Sequence, residues 1–119
     1  MSTVEKVIDA YIKGTYTADI DLLQSVFHEK ARMTGYLGNE LLIGDPQPFI
    51  EDIGSQASME SNGDPYESEI VSKVIVGNIA NVVIRESGFR GTLKLEDHFH
   101  LINDGSRWWI ISKLFTVID

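Results

Sequence analysis

Near the start of the chain the apolar residues keep helical spacing: Val4, Val7, Ile8, Tyr11 and Ile12 share a stripe among Glu5, Lys6 and Asp9. Ser2 followed by Glu5 fits a capping box, and Gly14 reads as the stop. A second short helix is expected from about Asp19 through Ile20, Leu23, Val26 and Phe27. Arg32–Leu37 and Leu41–Ile43 then read as short strands around the Gly38-Asn39 turn. Asp45-Pro46 opens a third helix with Phe49, Ile50 and Ile53 on its apolar side, ended by Gly54. Residues 55–65 are polar and irregular. From Tyr66 the pattern changes to alternation, with Ile70, Val74 and Val76 on one face and Glu67, Glu69 and Lys73 on the other. Gly77-Asn78, the stretch 87–91 and Asp104-Gly105 divide the rest into strands at 80–87, 92–103 and 106–117. Helices first and a long meander afterwards is an α+β order, with the helices packed on one face of a curved antiparallel sheet.

Composition narrows the function classes. The chain has 119 residues, which suits one domain spanning 1–119. Eighteen acidic residues against ten basic ones give a net charge of −8, which argues against nucleic acid and anionic membranes as partners. There is no cysteine, so thiolate metal sites and thiol nucleophiles are excluded. The charged first stretch does not read as a signal peptide, and a cytoplasmic location is expected.

Asp97 is the most informative residue. Leu93, Leu95, Asp97, Phe99 and Leu101 share one strand face, and pairing across the Asp104-Gly105 hairpin puts Trp108, Ile110, Ser112 and Leu114 beside them. A carboxylate in such company is costly unless it is protonated, hydrogen-bonded or solvated by a pocket. It is either a pocket group or a structural Asp bonded to Ser112 or a helix. Glu96, His98 and His100 lie along the opposite face and suit surface or interface roles better than metal binding, so no metal and no cofactor is expected. His28 follows the second helix, where it would favour the carbonyl end, with a pocket-rim base as the lesser reading. Lys113 falls formally on the outer face, but a β-bulge would swing it to the Asp97 side, so parity leaves it open.

The stretch from Gly14 to Ala31, with Asp19, Asp21, Phe27 and His28, resembles the opening of the nuclear transport factor 2-like superfamily. Asp97-His98-Phe99 and the run from Asp104 through Trp108-Trp109 to Phe115 resemble its closing hairpin. Within the superfamily the chain looks most like small bacterial proteins described as lumazine-binding, and more distantly like ketosteroid isomerase. The resemblance implies a cone, a strongly curved sheet around three N-terminal helices with a pocket at the open end. It also implies that Tyr11 and Asp97 stand where the isomerase holds its oxyanion-binding tyrosine and neutral aspartic acid. The place of the general-base aspartate is taken by Gly35, which accepts no proton.

Three functions follow as expectations. The first is binding of a small, largely apolar or heteroaromatic ligand, anchored by Asp97 and Tyr11. Phe27, Met33, Tyr36, Phe49, Ile53, Val83, Phe99, Trp108 and Lys113 are the expected ligand-binding residues. The second is an isomerase- or dehydratase-type enzyme, with Tyr11 and Asp97 as catalytic groups stabilising an enolate oxygen. The third is an interaction module with a filled pocket. A homodimer is expected through the convex sheet face, where Trp109, Ile111, Phe115 and Val117 would otherwise be left in water.

Overall fold

The computed structural model describes residues 1–118. Four helices, α1 (Val4–Thr17), α2 (Ile20–Val26), α3 (Gln47–Gly54) and α4 (Met59–Asn62), accompany six strands. The strands are β1 (Phe27–Leu37), β2 (Glu40–Gly44), β3 (Glu67–Val76), β4 (Ile79–Phe89), β5 (Leu93–Asn103) and β6 (Trp108–Ile118). They form one open sheet in the order β2-β1-β6-β5-β4-β3. Its pairings are antiparallel except β1–β6, which is parallel, so the expected all-antiparallel sheet is a mixed one. The parallel pair arises because β1 follows the helices and inserts beside the last strand of the meander.

The helices lie on the concave side and share their core with the sheet: Val7, Ile8, Leu23, Ile53, Val82, Ile84, Phe99 and Ile110 are all buried. The first cap falls one residue later than expected, because Thr3 rather than Ser2 accepts the Lys6 N–H at 3.1 Å. Gly14 does not stop α1. A Cβ there would press on the Leu23 side chain, so Gly14 permits the close approach of α2, and Ala18 in a left-handed conformation ends the helix. Phe27 begins β1 instead of ending α2, which carries His28 into the strand as well. The polar segment holds α4, capped by Ser58 and anchored by buried Met59. Asp104 organises the last hairpin: its Oδ1 accepts from the Ser106 and Arg107 N–H groups and its Oδ2 from Trp109 Nε1. Those bonds hold its carboxyl well below the usual range. Among the described residues, no helix is long and apolar enough to cross a membrane.

Bulges in β6 and β3 change which residues face the interior. In β6, His100 pairs with Ser112 while Leu101 pairs with Ile110, leaving Ile111 as the extra residue. Beyond it the alternation is inverted. Lys113 and Phe115 point inward, whereas Leu114 is 51% exposed on the outer face, reversing the expected positions of Phe115 and Leu114. In β3 the extra residue is Val71, so Ile70 pairs with inward Ile84 while Val74 pairs with outward Asn81. The expected common face of Ile70, Val74 and Val76 is therefore split, and this edge strand is exposed almost throughout.

Candidate functional site

An apolar cavity of about 540 Å³ opens between β2, α3 and the β4–β5 end of the sheet, within the size range of small-molecule sites. Met33, Leu42, Phe49, Phe89, Leu95 and Phe115 supply most of its apolar wall. Four buried polar side chains line it from different elements, Tyr11 from α1, Glu86 from β4, Asp97 from β5 and Lys113 from β6, and exposed Asp45 and Asp52 also border it. Glu86, Asp97 and Lys113 are no more than 4% exposed and Tyr11 is 1% exposed, so each needs an internal partner.

Those partners are one another. Lys113 Nζ donates to the Tyr11 hydroxyl oxygen at 2.6 Å, and the Tyr11 O–H points to Asp97 Oδ2 at 3.5 Å. Lys113 Nζ lies 4.0 Å from the same Asp97 oxygen and sits over the Phe49, Tyr11 and Phe115 rings at 4.2, 5.0 and 5.1 Å. An ammonium so placed gains cation–π attraction as well as its ion pair. Tyr11 is itself gripped by aromatic contacts, stacked on Phe49 at 6.1 Å and edge-on to Phe99 at 4.9 Å. Burial, followed by the nearby Asp97 and Glu86 charges, pushes its phenol well above the ordinary value. Tyr11 therefore acts as a hydrogen-bonding group and not as a phenolate.

Glu86 stands two residues beyond the residue paired with Asp97, on the same inner face, and its Oε2 accepts the Tyr66 hydroxyl. Burial raises the Glu86 carboxyl well above its usual range, and the hydrogen bond and charge of Asp97 raise it further, while Lys113 pulls it back. Burial first, then Glu86, raises Tyr66. Because the folded chain holds the Glu86 proton more tightly than the unfolded chain, its contribution is complete below the ordinary Glu value near 4.3. That contribution is lost as pH rises until Glu86 ionises in place. Urea midpoints should accordingly fall with pH above about 5, and Glu86→Gln should flatten that slope. An unchanged slope in the variant would contradict the assignment.

Of the residues expected at the pocket, Tyr11, Met33, Phe49, Asp97 and Lys113 line the cavity. Phe27, Ile53, Phe99 and Trp108 do not line it and are packed in the core instead. Tyr36 and Val83 are placed otherwise. Tyr36 is 46% exposed and paired with outward Thr116, and Val83 alternates with inward Val82 and Ile84 on β4. His28 lies away from the cavity, edge-on to Trp109 at 5.8 Å. Glu96 is engaged by Arg85 at 2.9 Å and His98 at 2.7 Å on the outer face. Glu86 escaped the sequence reading, although Ala80, Val82, Ile84 and Glu86 alternate onto one face just as the Asp97 strand does. Gly35 faces Phe115 across the β1–β6 pairing, and a Cβ there would collide with the Phe115 ring and carbonyl oxygen. A side chain at Gly35 would therefore have to displace Phe115.

A family model described as "Putative lumazine-binding" matches residues 1–116. The chain belongs to this family. An NTF2-like protein of unknown function from Methylobacillus flagellatus superposes with a TM-score of 0.85 at 21% identity, over 97% of this chain and 89% of that one. One from Shewanella baltica gives 0.83 at 22% identity, over 97% and 90%. A ketosteroid isomerase-like protein from Erwinia carotovora atroseptica gives 0.69 at 17% identity, over 98% and 94%. These likenesses establish the fold. A comparison with curated proteins finds no match.

Proposed function

We propose that this NTF2-like domain binds a small, largely apolar or heteroaromatic molecule in the cavity, with Tyr11, Asp97 and Lys113 fixing its polar edge. The observation that carries this reading is the convergence of buried Tyr11, Glu86, Asp97 and Lys113 on a mostly apolar hollow. A core built only for stability would exchange such groups for well-packed apolar ones at little loss. The family's description is consistent with a heteroaromatic ligand. Titration with lumazine, followed by its fluorescence, should give saturable binding. Asp97→Ala should weaken binding at least about tenfold, the effect of losing one charge-assisted hydrogen bond. The absence of saturable binding both for lumazine and for a neutral naphthyl ketone would overturn the reading.

The Lys113–Tyr11 pair also favours a second reading, an enzyme that stabilises an enolate oxygen through these donors. Gly35 weighs against the isomerase version, since the base position has no side chain and one there would have to displace Phe115. The acidic, cysteine-free composition suits a cytoplasmic setting.

A second copy of the chain covers the outer sheet face in this proposal. Phe115 drops out of the expected patch because it faces the cavity, Val117 drops out because it pairs with inward Leu95, and Leu114 takes their place. Together with Trp109 and Ile111, exposed Val74, Val76 and Ile79 keep that face apolar across the sheet. Sedimentation equilibrium at micromolar concentration should show twice the 13.3 kDa chain mass, and Leu114→Glu should return it to one. A wild-type species at the chain mass that persists on concentration would end this part of the proposal.

A further inference from the structure

The polar floor of the cavity contains two carboxyls and one ammonium. Asp97 and Glu86 are 1% and 2% exposed, and Lys113 is the buried cation beside them. Every ionisable group facing Glu86 belongs to this set: Asp97 on β5, Lys113 on β6, Tyr11 on α1, and Tyr66 just ahead of β3. Neither tyrosine carries charge there, because burial and the carboxyls hold both phenols protonated. Two ionised carboxyls against one ammonium would leave a net negative charge in a water-poor hollow, the costliest arrangement available. A second observation points the same way. Among the described residues, buried Asp97 Oδ1 has no donor, while Oδ2 is the atom that faces Tyr11 and Lys113. Among the described residues, the Glu86 carboxyl, diagonally across the β4–β5 pairing, is the group placed to gain a proton and offer it to Oδ1.

We infer that Glu86 and Asp97 share one proton, so that the cavity floor is electrically neutral and selects an uncharged ligand bearing a hydrogen-bond-accepting oxygen, such as a ketone or lactam, over its carboxylate counterpart. The ligand class rests on the binding reading above, whereas the shared proton does not. Lys113 makes its hydrogen bond to Tyr11, so its ammonium can still meet a carbonyl oxygen from the cavity. An entering carboxylate would add a charge that the floor has no spare cation to balance. The coupled carboxyls belong together in this respect, and removing one changes the proton count of the other. When Asp97 is lost, Glu86 gives up its proton and becomes the counter-charge of Lys113.

Carbon-13 NMR of side-chain carboxyls in the ligand-free protein tests the shared proton directly. Glu86 should be protonated at pH 7 in the wild type and ionised at pH 7 in Asp97→Asn. An ionised Glu86 in the wild type, or a protonated one in the variant, would overturn the inference. The ligand class is read with 2-acetylnaphthalene and 2-naphthoate, nearly isosteric but different in charge. The double variant Glu86→Gln/Asp97→Asn leaves Lys113 uncompensated, and the ketone-to-carboxylate preference should move at least tenfold toward the carboxylate. An unmoved preference would overturn the neutral-floor account. If neither probe binds, the ligand class falls with the binding reading, and the carboxyl titration alone decides the shared proton.

Discussion

Lys113→Met is expected to destabilise the protein by about 3–5 kcal/mol at neutral pH, the cost of leaving one member of a buried ion pair without its partner. The full value applies because the Lys113 and Asp97 side chains are only 5% and 1% exposed, so solvent cannot take over the abandoned charge. Methionine preserves most of the packing of the lysine stem against Phe49 and Phe115, which isolates the electrostatic loss. The sign with pH is fixed by the same reasoning. Without the ammonium, the carboxyl pair is favoured only when fully protonated, so the deficit should shrink as pH falls toward the carboxylate range. Chemical denaturation of both proteins at two pH values reads it. A neutral-pH difference below about 1 kcal/mol would mean that the pair is solvated or open, as surface pairs are.

Gly35→Ala should cost about 1–3 kcal/mol, at the upper end of overpacking, although the added group is a single methyl. The contact is with the carbonyl oxygen of Phe115 as well as its ring, and backbone cannot swing away as a flexible side chain can. The row Asp97–Phe115–Gly35–Leu42 crosses four strands, so pushing Phe115 also displaces the wall beside Asp97. Ligand binding should weaken along with stability. A denaturation midpoint equal to wild type would show that β1 and β6 are less closely apposed than described. Installing an aspartate at this position is expected to disrupt the fold locally and not to restore isomerase-type chemistry.

The order of helices and strands was legible because periodicity and turn chemistry agree: 3.6-residue stripes in α1 and α3, and glycine turns between the long strands. Asp97 stood out because its strand alternates without interruption, and the structure keeps that alternation. What parity alone could not carry lies beyond the bulges. One extra residue at Ile111 exchanges the faces of Lys113, Leu114 and Phe115, and one at Val71 splits the apolar set of β3. Nothing in a two-residue repeat announces such an insertion, because it is a relation between a strand and its partner. The parallel β1–β6 pairing has the same character, being a relation between distant segments. Glu86 is a different case. Its alternation with Val82 and Ile84 was readable, but an acid near the end of a strand is usually solvated, and only the placement of Tyr66 and Asp97 around it shows that this one is enclosed.

The central claim is that the hollow above Tyr11, Asp97 and Lys113 is a ligand site and not a packing defect. A crystal structure of the protein grown with lumazine or 2-acetylnaphthalene tests it most directly. The account predicts a planar molecule against Phe49 and Phe115 with an oxygen within hydrogen-bonding distance of Lys113 Nζ. A cavity closed by inward movement of Met33, Phe49 and Leu95, with the additive absent from it, would contradict the account and favour a filled-pocket interaction module.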